Sequence, residues 1–482
     1  MILVTIGRFA QFALLLLTLR IATGLLSPAE MGKISIVTAT VGFFALLLLN
    51  PVGMFMNRRL HAWDLRGLTI SYLTYFWRYL LTVSLFSILV LTALTGLNIW
   101  NPGIGIYWLL FLVCGNLFFG TINQVVIPGL NLLGHRGWFI GLTVATAALS
   151  LIFAVLLVVA VLPNAEYWLS GLLLGQLVVG LIGKIVLSKK VHRSNTESNA
   201  PPKLSLSHYK NLVRFAWPVA IAVGLGWIQS QGYRYLMEDR LGLVELGLFV
   251  AGYGISSGLI AGFDSIFSTY FQPKFYKQIS KENLSEQSHA WTDYSQAILP
   301  SLLLTSIFIM ATAPELTQLL LGANFRNSSQ FVVWGALAES ARISTGVFGM
   351  AAHARMNTKL LLLPNMVGAV ISISLIWFLM PVYGSDGVGL GLVFSSLATL
   401  LLTIYITKNY LAVVLPQKQF VKSAIMGVGL LVTAEILRGT WNHDGSHFFS
   451  LLQLCVTGSF FLSFQYVMLL PVLRKEAANT HN

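Results

Sequence analysis

Charged residues are scarce in this sequence. Lys, Arg, Asp and Glu make up 10% of 482 residues, and only 17 are acidic. A soluble globular chain carries about 25% charged residues, so this one lacks the polar surface to cover a water-soluble body of 53.0 kDa. Cysteine is scarcer still. Cys114 and Cys455 stand alone inside apolar runs, which gives neither a disulfide framework nor a metal site. Enzyme motifs are missing too: there is no HExxH-type metal helix, no phosphate-cradling glycine loop and no Cys–His dyad. No cofactor, metal or catalytic residue is assigned, and an enzyme is not expected.

What is abundant is apolar. Hydrophobic residues make up 56% and mean hydropathy is +0.76, the composition of a polytopic membrane protein. Runs of about 20 apolar residues predict spans near 2–26, 34–56, 79–97, 106–133, 138–162, 167–188, 215–237, 246–271, 294–313, 331–352, 360–380, 387–407, 420–437 and 448–470. These runs are too long for barrel strands, and helices satisfy their own backbone in lipid. The expected fold is an all-α membrane protein of about fourteen transmembrane helices. The first run carries Arg8 and Arg20 and has no small-x-small cleavage site, so it reads as a span and not as a signal peptide.

The net charge of +13 is read first as topology. With the N-terminus in the cytoplasm, 22 basic residues fall at cytoplasmic loops, from Arg58, Arg59, Arg66 and Arg78 to Arg474 and Lys475. Four fall on the other side: Lys33, Arg240, Arg326 and Arg438. The positive-inside rule predicts this asymmetry and puts both termini in the cytoplasm. Nucleic acid is not needed as a partner to explain the charge.

A polar stretch from Lys189 to Lys210, containing Ser194 to Pro202, reads as a linker after the sixth span. It divides the chain into a six-helix bundle at 1–188, a linker at 189–213, a second six-helix bundle at 214–410, and two further helices with a tail at 411–482. Leu26-Ser27-Pro28-Ala29-Glu30-Met31-Gly32 and Leu241-Gly242-Leu243-Val244-Glu245-Leu246-Gly247 share a pattern 215 residues apart. His135-Arg136 and His353-Ala354-Arg355 repeat at 218. The agreement points to two pseudo-symmetric halves on the parallel-repeat plan of secondary transporters; similar helix-capping loops are the alternative.

Four arginines fall within spans: Arg8, Arg20, Arg234 and Arg342. A charge at mid-bilayer costs roughly 2.5–3.5 kcal/mol, so it faces a cavity or a partner. Arg8 and Arg20 can also snorkel to a membrane face. Arg234, between Tyr233 and Tyr235 and one turn from Glu238, can be an interfacial anchor. Arg342 is central in its span, and Glu339 at i−3 can pair with it. Asp264 lies inside the eighth span with no basic neighbour on its helix, as a core carboxyl or a proton or sodium site. Glu435 is expected to reach water. Span amides such as Asn116, Asn123, Gln229 and Gln231 line a lumen or join helices. An arginine fork suits phosphate, so a set of arginines favours a large anionic substrate.

The chain resembles the bacterial polysaccharide (O-antigen-type) flippases of the multidrug/oligosaccharidyl-lipid/polysaccharide exporter superfamily. The likeness is carried by Leu25 to Gly32 after an Arg-bearing span, by Asn57-Arg58-Arg59-Leu60-His61, by Leu212 to Pro218 running into Tyr233-Arg234-Tyr235, by Leu241-Gly242 to Tyr253, and by Tyr383-Gly384 to Gly391. Tyr233 stands where family members often have Asp or Asn, and twelve spans are usual. The resemblance implies a flippase in the bacterial inner membrane. It would move an undecaprenyl-diphosphate-linked oligosaccharide from the cytoplasmic to the periplasmic leaflet by alternating access, coupled to a proton or sodium gradient. Polysaccharide polymerase and chain-length proteins would be possible partners. Arg8, Arg20, Arg234 and Arg342 are the expected binders of the diphosphate head. Asp264 and Glu339 are the expected coupling residues, from their burial and not from the family motif. The alternatives are a multidrug and toxin extrusion exporter, which would bind cations through carboxylates, and a membrane polymerase or ligase, which usually has a large outer loop that is missing here.

Overall fold

The computed structural model describes residues 2–191, 206–279, 284–354, 358–408, 417–441 and 447–480. Most of the expected linker lies outside the described residues, as do Arg193, Lys203, Lys281 and Arg355. The side chains of Arg8, Lys274, Lys277, His353, Arg474 and Lys475 lie outside them too.

Among the described residues there are helices and no strands. In chain order they are α1 (Ile2–Leu25), α2 (Pro28–Phe44), α3 (Asn50–Leu65), α4 (Thr69–Gly96), α5 (Ile106–Gly115), α6 (Thr121–Leu132), α7 (Arg136–Ala160) and α8 (Ala165–Lys190). Then come α9 (Leu206–Gln231), α10 (Tyr233–Ile279), α11 (Leu284–Ala311), α12 (Ala313–Leu320), α13 (Ser329–Ala354), α14 (Leu362–Thr407), α15 (Gln417–Thr440) and α16 (His447–Thr480). Wide turns at Ala45–Leu49 and Asn116–Gly120 join α2 to α3 and α5 to α6. The first precedes Pro51, which has no N–H to give the preceding turn; within the same stretch the Leu48 carbonyl accepts from Tyr79 Oη at 2.9 Å.

Ten described helical segments are long and apolar enough to cross a membrane. Two of them, at 64 and 49 residues, are far longer than the roughly 20 residues one crossing needs. Each is broken at a left-handed glycine, Gly242 (φ 84°) or Gly384 (φ 55°), where other residues would be strained. Past Gly384 the chain doubles back, because a Cβ on Gly387 would lie 2.6 Å from the Leu379 carbonyl. With these two counted twice, and with α1 and the less apolar α13 added, the expected crossings each find a helix. The helices run past the apolar cores at their ends. Arg58, Arg59, Arg78, Lys184 and Lys210, expected in loops, therefore lie on α3, α4, α8 and α9. Arg234 also shifts: α9 stops at Gln231, and Arg234 stands in the first turn of α10, so the seventh span ends earlier than its apolar run.

The chain divides into two compact units, 1–247 and 248–482. In the first, α7 and α8 touch at Gly171 and Gly175, where an added Cβ would collide with the backbone of Ala154 and Ser150. This Gly-xxx-Gly spacing puts both glycines on one helix face and lets the helices close up. Deeper in the unit Asn123 donates to Thr146 Oγ1 at 3.2 Å and to the Gln176 carbonyl at 3.4 Å, so this amide joins α6, α7 and α8.

The repeated motif has a local job. Ser27 caps α2 by accepting from the Glu30 N–H at 3.4 Å, with Pro28 in the first turn. The Glu30 carboxylate accepts from the Ala165 N–H at 2.7 Å, at the start of α8, and from Lys33 at 2.8 Å. The two motif copies also meet. A Cβ on Gly32 would strike the Leu243 carbonyl, and one on Gly247 would strike that of Pro28.

In the second unit α11 is the hub. The C-terminal pair docks on it through Ser423 to the Pro300 carbonyl at 2.9 Å and Gln465 to the Ser301 carbonyl at 2.9 Å. Arg438 of α15 reaches Glu315 of α12 at 3.1 Å, the Ala311 carbonyl at 3.0 Å and Glu435 at 2.8 Å. Glu435 is exposed as expected, whereas Glu315 is buried. Arg438→Ala leaves that buried carboxylate unpaired, so a loss of about 2–3 kcal/mol is expected. It would be seen as a lower melting temperature in detergent, with partial recovery in Arg438→Ala/Glu315→Gln.

Candidate functional site

The second unit brings together three of the expected residues: Arg342, Glu339 and Asp264. Their positions follow from helix contacts. Gly335 of α13 lies against the Tyr253 backbone of α10, and Gly252 of α10 lies against the Ser328 carbonyl. Ser256 donates to the Val332 carbonyl at 2.5 Å. This close approach places Tyr253 opposite Glu339, one turn past Gly335. On its other sides α13 is held by a Ser306–Ser340 hydrogen bond from α11 and by Trp334, which donates to Asp386 of α14 at 2.8 Å.

Glu339 is buried and acts as acceptor on both oxygens. Tyr253 Oη donates to Oε1 at 2.8 Å, and Arg342 donates to Oε2 from Nε at 2.7 Å. A terminal guanidinium nitrogen of Arg342 sits 2.6 Å from the same oxygen. The expected i−3 pair is therefore formed. The Arg342 side chain is 51% exposed against 8% for Glu339. Asp264 is half-buried and lies three turns along α10 from Tyr253, on the same face. It is charge-coupled to Arg342 and to Tyr294 of α11.

The other expected residues lie in the first unit. Arg234 donates to the Ser35 carbonyl at 3.1 Å and to Thr38 Oγ1 at 3.5 Å, both on α2. It sits 5.8 Å from the Tyr233 ring. Its Nε–H is buried without a partner among the described residues. Glu238, one turn away, accepts from Trp100 at 3.0 Å. Tyr235 bonds Thr40 at 2.9 Å, and Trp227 donates to the Ala39 carbonyl at 3.2 Å. Arg234 thus helps dock the start of α10 on α2. Arg20 is half-buried on α1 and makes contacts of its own. The backbone of Arg8 is helical, and its side chain lies outside the described residues.

Tyr253, Trp100 and the Glu315–Arg438 pair were not singled out from the sequence, since each acts on a residue of another helix. Among the described residues no group of His, Cys, Asp and Glu gathers as a metal site.

No family model matches the chain, and no curated protein matches it. Solved structures do. The structure titled lipid II flippase MurJ, inward closed conformation, aligns over 98% of this chain and 100% of that one, with TM-score 0.69 and 14% identity. The inward-facing conformation of a multidrug resistance MATE family transporter of the MOP superfamily aligns over 84% and 93%, with TM-score 0.56 and 12% identity. A MATE structure in complex with MaL6 aligns over 84% and 93%, with TM-score 0.55 and 13% identity. The chain is a multi-pass helical membrane protein with the fold of this flippase and these transporters.

Proposed function

We propose that this protein is a flippase for an undecaprenyl-diphosphate-linked oligosaccharide. It moves that lipid from the cytoplasmic to the periplasmic leaflet of the bacterial inner membrane by alternating access, with both termini in the cytoplasm. The observation that carries the reading is Arg342: a permanently charged fork in mid-span, held at one edge by Glu339 on a side chain that is half exposed. Such a group is expensive in a membrane unless it meets a partner, and its geometry suits phosphate. The near-complete match to a lipid II flippase fold supports the same reading. Arg20 and Arg8 are proposed to add positive charge for the head group. Arg234, bonded to α2, is proposed chiefly to position its helix.

The test is translocation of a fluorescent undecaprenyl-diphosphate-linked saccharide in proteoliposomes. The reading requires flipping above that of protein-free vesicles; its absence would sink it. A second reading, a cation-coupled multidrug exporter, has Asp264 and Glu339 in its favour, together with the MATE fold match. Transport of a cationic dye without lipid flipping would establish that reading instead. Asp264 is proposed as an ion-coupling residue, so Asp264→Asn should retain flipping yet lose most of its response to an imposed proton or sodium gradient. An unchanged response would clear Asp264.

A further inference from the structure

Glu339 and a phosphate compete for the same partner. Glu339 Oε2 lies 2.7 Å from Arg342 Nε and 2.6 Å from a terminal nitrogen, which is the guanidinium edge that binds carboxylate and phosphate alike. Tyr253 holds the other carboxylate oxygen at 2.8 Å. The Arg342 side chain is half exposed and Glu339 is buried, so an incoming anion can reach the arginine side chain more easily than its counter-ion. The other groups coupled to Arg342 are Tyr253 and Asp264 of α10. From α11, Tyr294 faces Asp264. Asp386 of α14 is engaged by Trp334.

We propose that Glu339 is an internal stand-in for the substrate phosphate, so that the anionic head and a proton bind together and not in exchange. This rests on the reading of Arg342 as a diphosphate-binding group. When a phosphate takes the Nε edge of Arg342, Glu339 loses its counter-charge while it remains buried. A buried carboxylate without a cation favours the protonated form, so it takes one proton from solvent. The Tyr253 hydroxyl can stay bonded to the neutral carboxyl. Conversely, protonation of Glu339 releases Arg342 to an anion, and the two effects are equal in size because linkage is reciprocal. Antiport needs the opposite relation, in which two ligands exclude each other from one group. The Arg342–Glu339 pair therefore carries its cargo with a proton, and any exchange with a driving ion falls to another residue such as Asp264.

The experiment is calorimetric titration of the full-length protein in detergent with farnesyl-diphospho-N-acetylglucosamine. This probe is a diphosphate diester that stays fully ionised from pH 5.5 to 8. Buffers of different ionisation enthalpy report the protons taken up. Wild type should take up protons on binding the probe and bind more tightly as pH falls, by up to about tenfold per unit. Glu339→Gln should bind at every pH about as tightly as wild type at low pH, with no uptake. Asp264→Asn should keep the uptake. Wild-type binding without uptake overturns the inference and leaves the diphosphate reading standing. So does uptake that survives in Glu339→Gln and vanishes in Asp264→Asn. No binding by wild type at any pH removes the diphosphate reading, and the inference with it.

Discussion

Arg342→Ala should abolish export of the surface glycan in cells that depend on this protein, while the protein still reaches the membrane. The substitution removes the fork in mid-span and its charge-assisted hydrogen bonds, which are worth roughly 1.5–3 kcal/mol each, enough to cut transport by more than tenfold. It also leaves buried Glu339 with Tyr253 alone, so a second variant is needed to separate the two effects. In Arg342→Ala/Glu339→Gln the orphaned charge is gone. If the loss came from that charge, export returns; if Arg342 binds cargo, export stays lost. Arg342→Lys should retain part of the activity, since it keeps the charge and loses the planar fork. Export at the wild-type level by Arg342→Ala would remove the central claim. Surface glycan immunoblots and membrane-fraction blots measure both sides of the comparison.

Gly175→Leu is the largest expected injury to the fold. A side chain there meets the backbone of Ser150 and not the movable end of a side chain, so α7 and α8 must separate. Overpacking of a well-filled core costs about 1–3 kcal/mol, occasionally more, and a backbone collision belongs at the upper end. The expected result is little monodisperse protein in detergent and a sharply lower melting temperature. Gly171→Leu should behave in the same way against Ala154. Gly24→Ala and Gly141→Ala meet nothing within 4 Å and should be close to neutral. Equal tolerance at all four positions would show that the contact does not hold the helices together.

The helices were legible because lipid leaves only one signal to read. An apolar run of the right length must be a helix, and α7, α8 and α15 begin and end within a few residues of the runs that announced them. Helix ends were less legible. Arg78 and Arg58 looked like loop residues because polarity marks the edge of the lipid and says nothing about where helical hydrogen bonding stops. The Arg342–Glu339 pair was visible because i−3 spacing is a property of one helix. Asp264 could be named from its isolation in an apolar run, but its coupling to Arg342 depends on how α10 meets α13. Tyr253 was hidden for the same reason, and the cue that fixes its depth is the smallness of Gly335 and Gly252. Arg234 reads from the sequence as a ligand or an interfacial anchor, and the partners that the sequence does not show are a carbonyl and a hydroxyl on α2.

The meeting of the two motif copies has a further meaning. The seventh residue of the first copy, Gly32, presses on the third residue of the second, Leu243. The seventh of the second, Gly247, presses on the third of the first, Pro28. Reciprocity of this kind, where i touches j and j touches i, is the mark of an isologous contact in a two-fold homodimer. Here it is made inside one polypeptide. All four residues lie in the first unit, and each glycine guards a contact that its counterpart repeats.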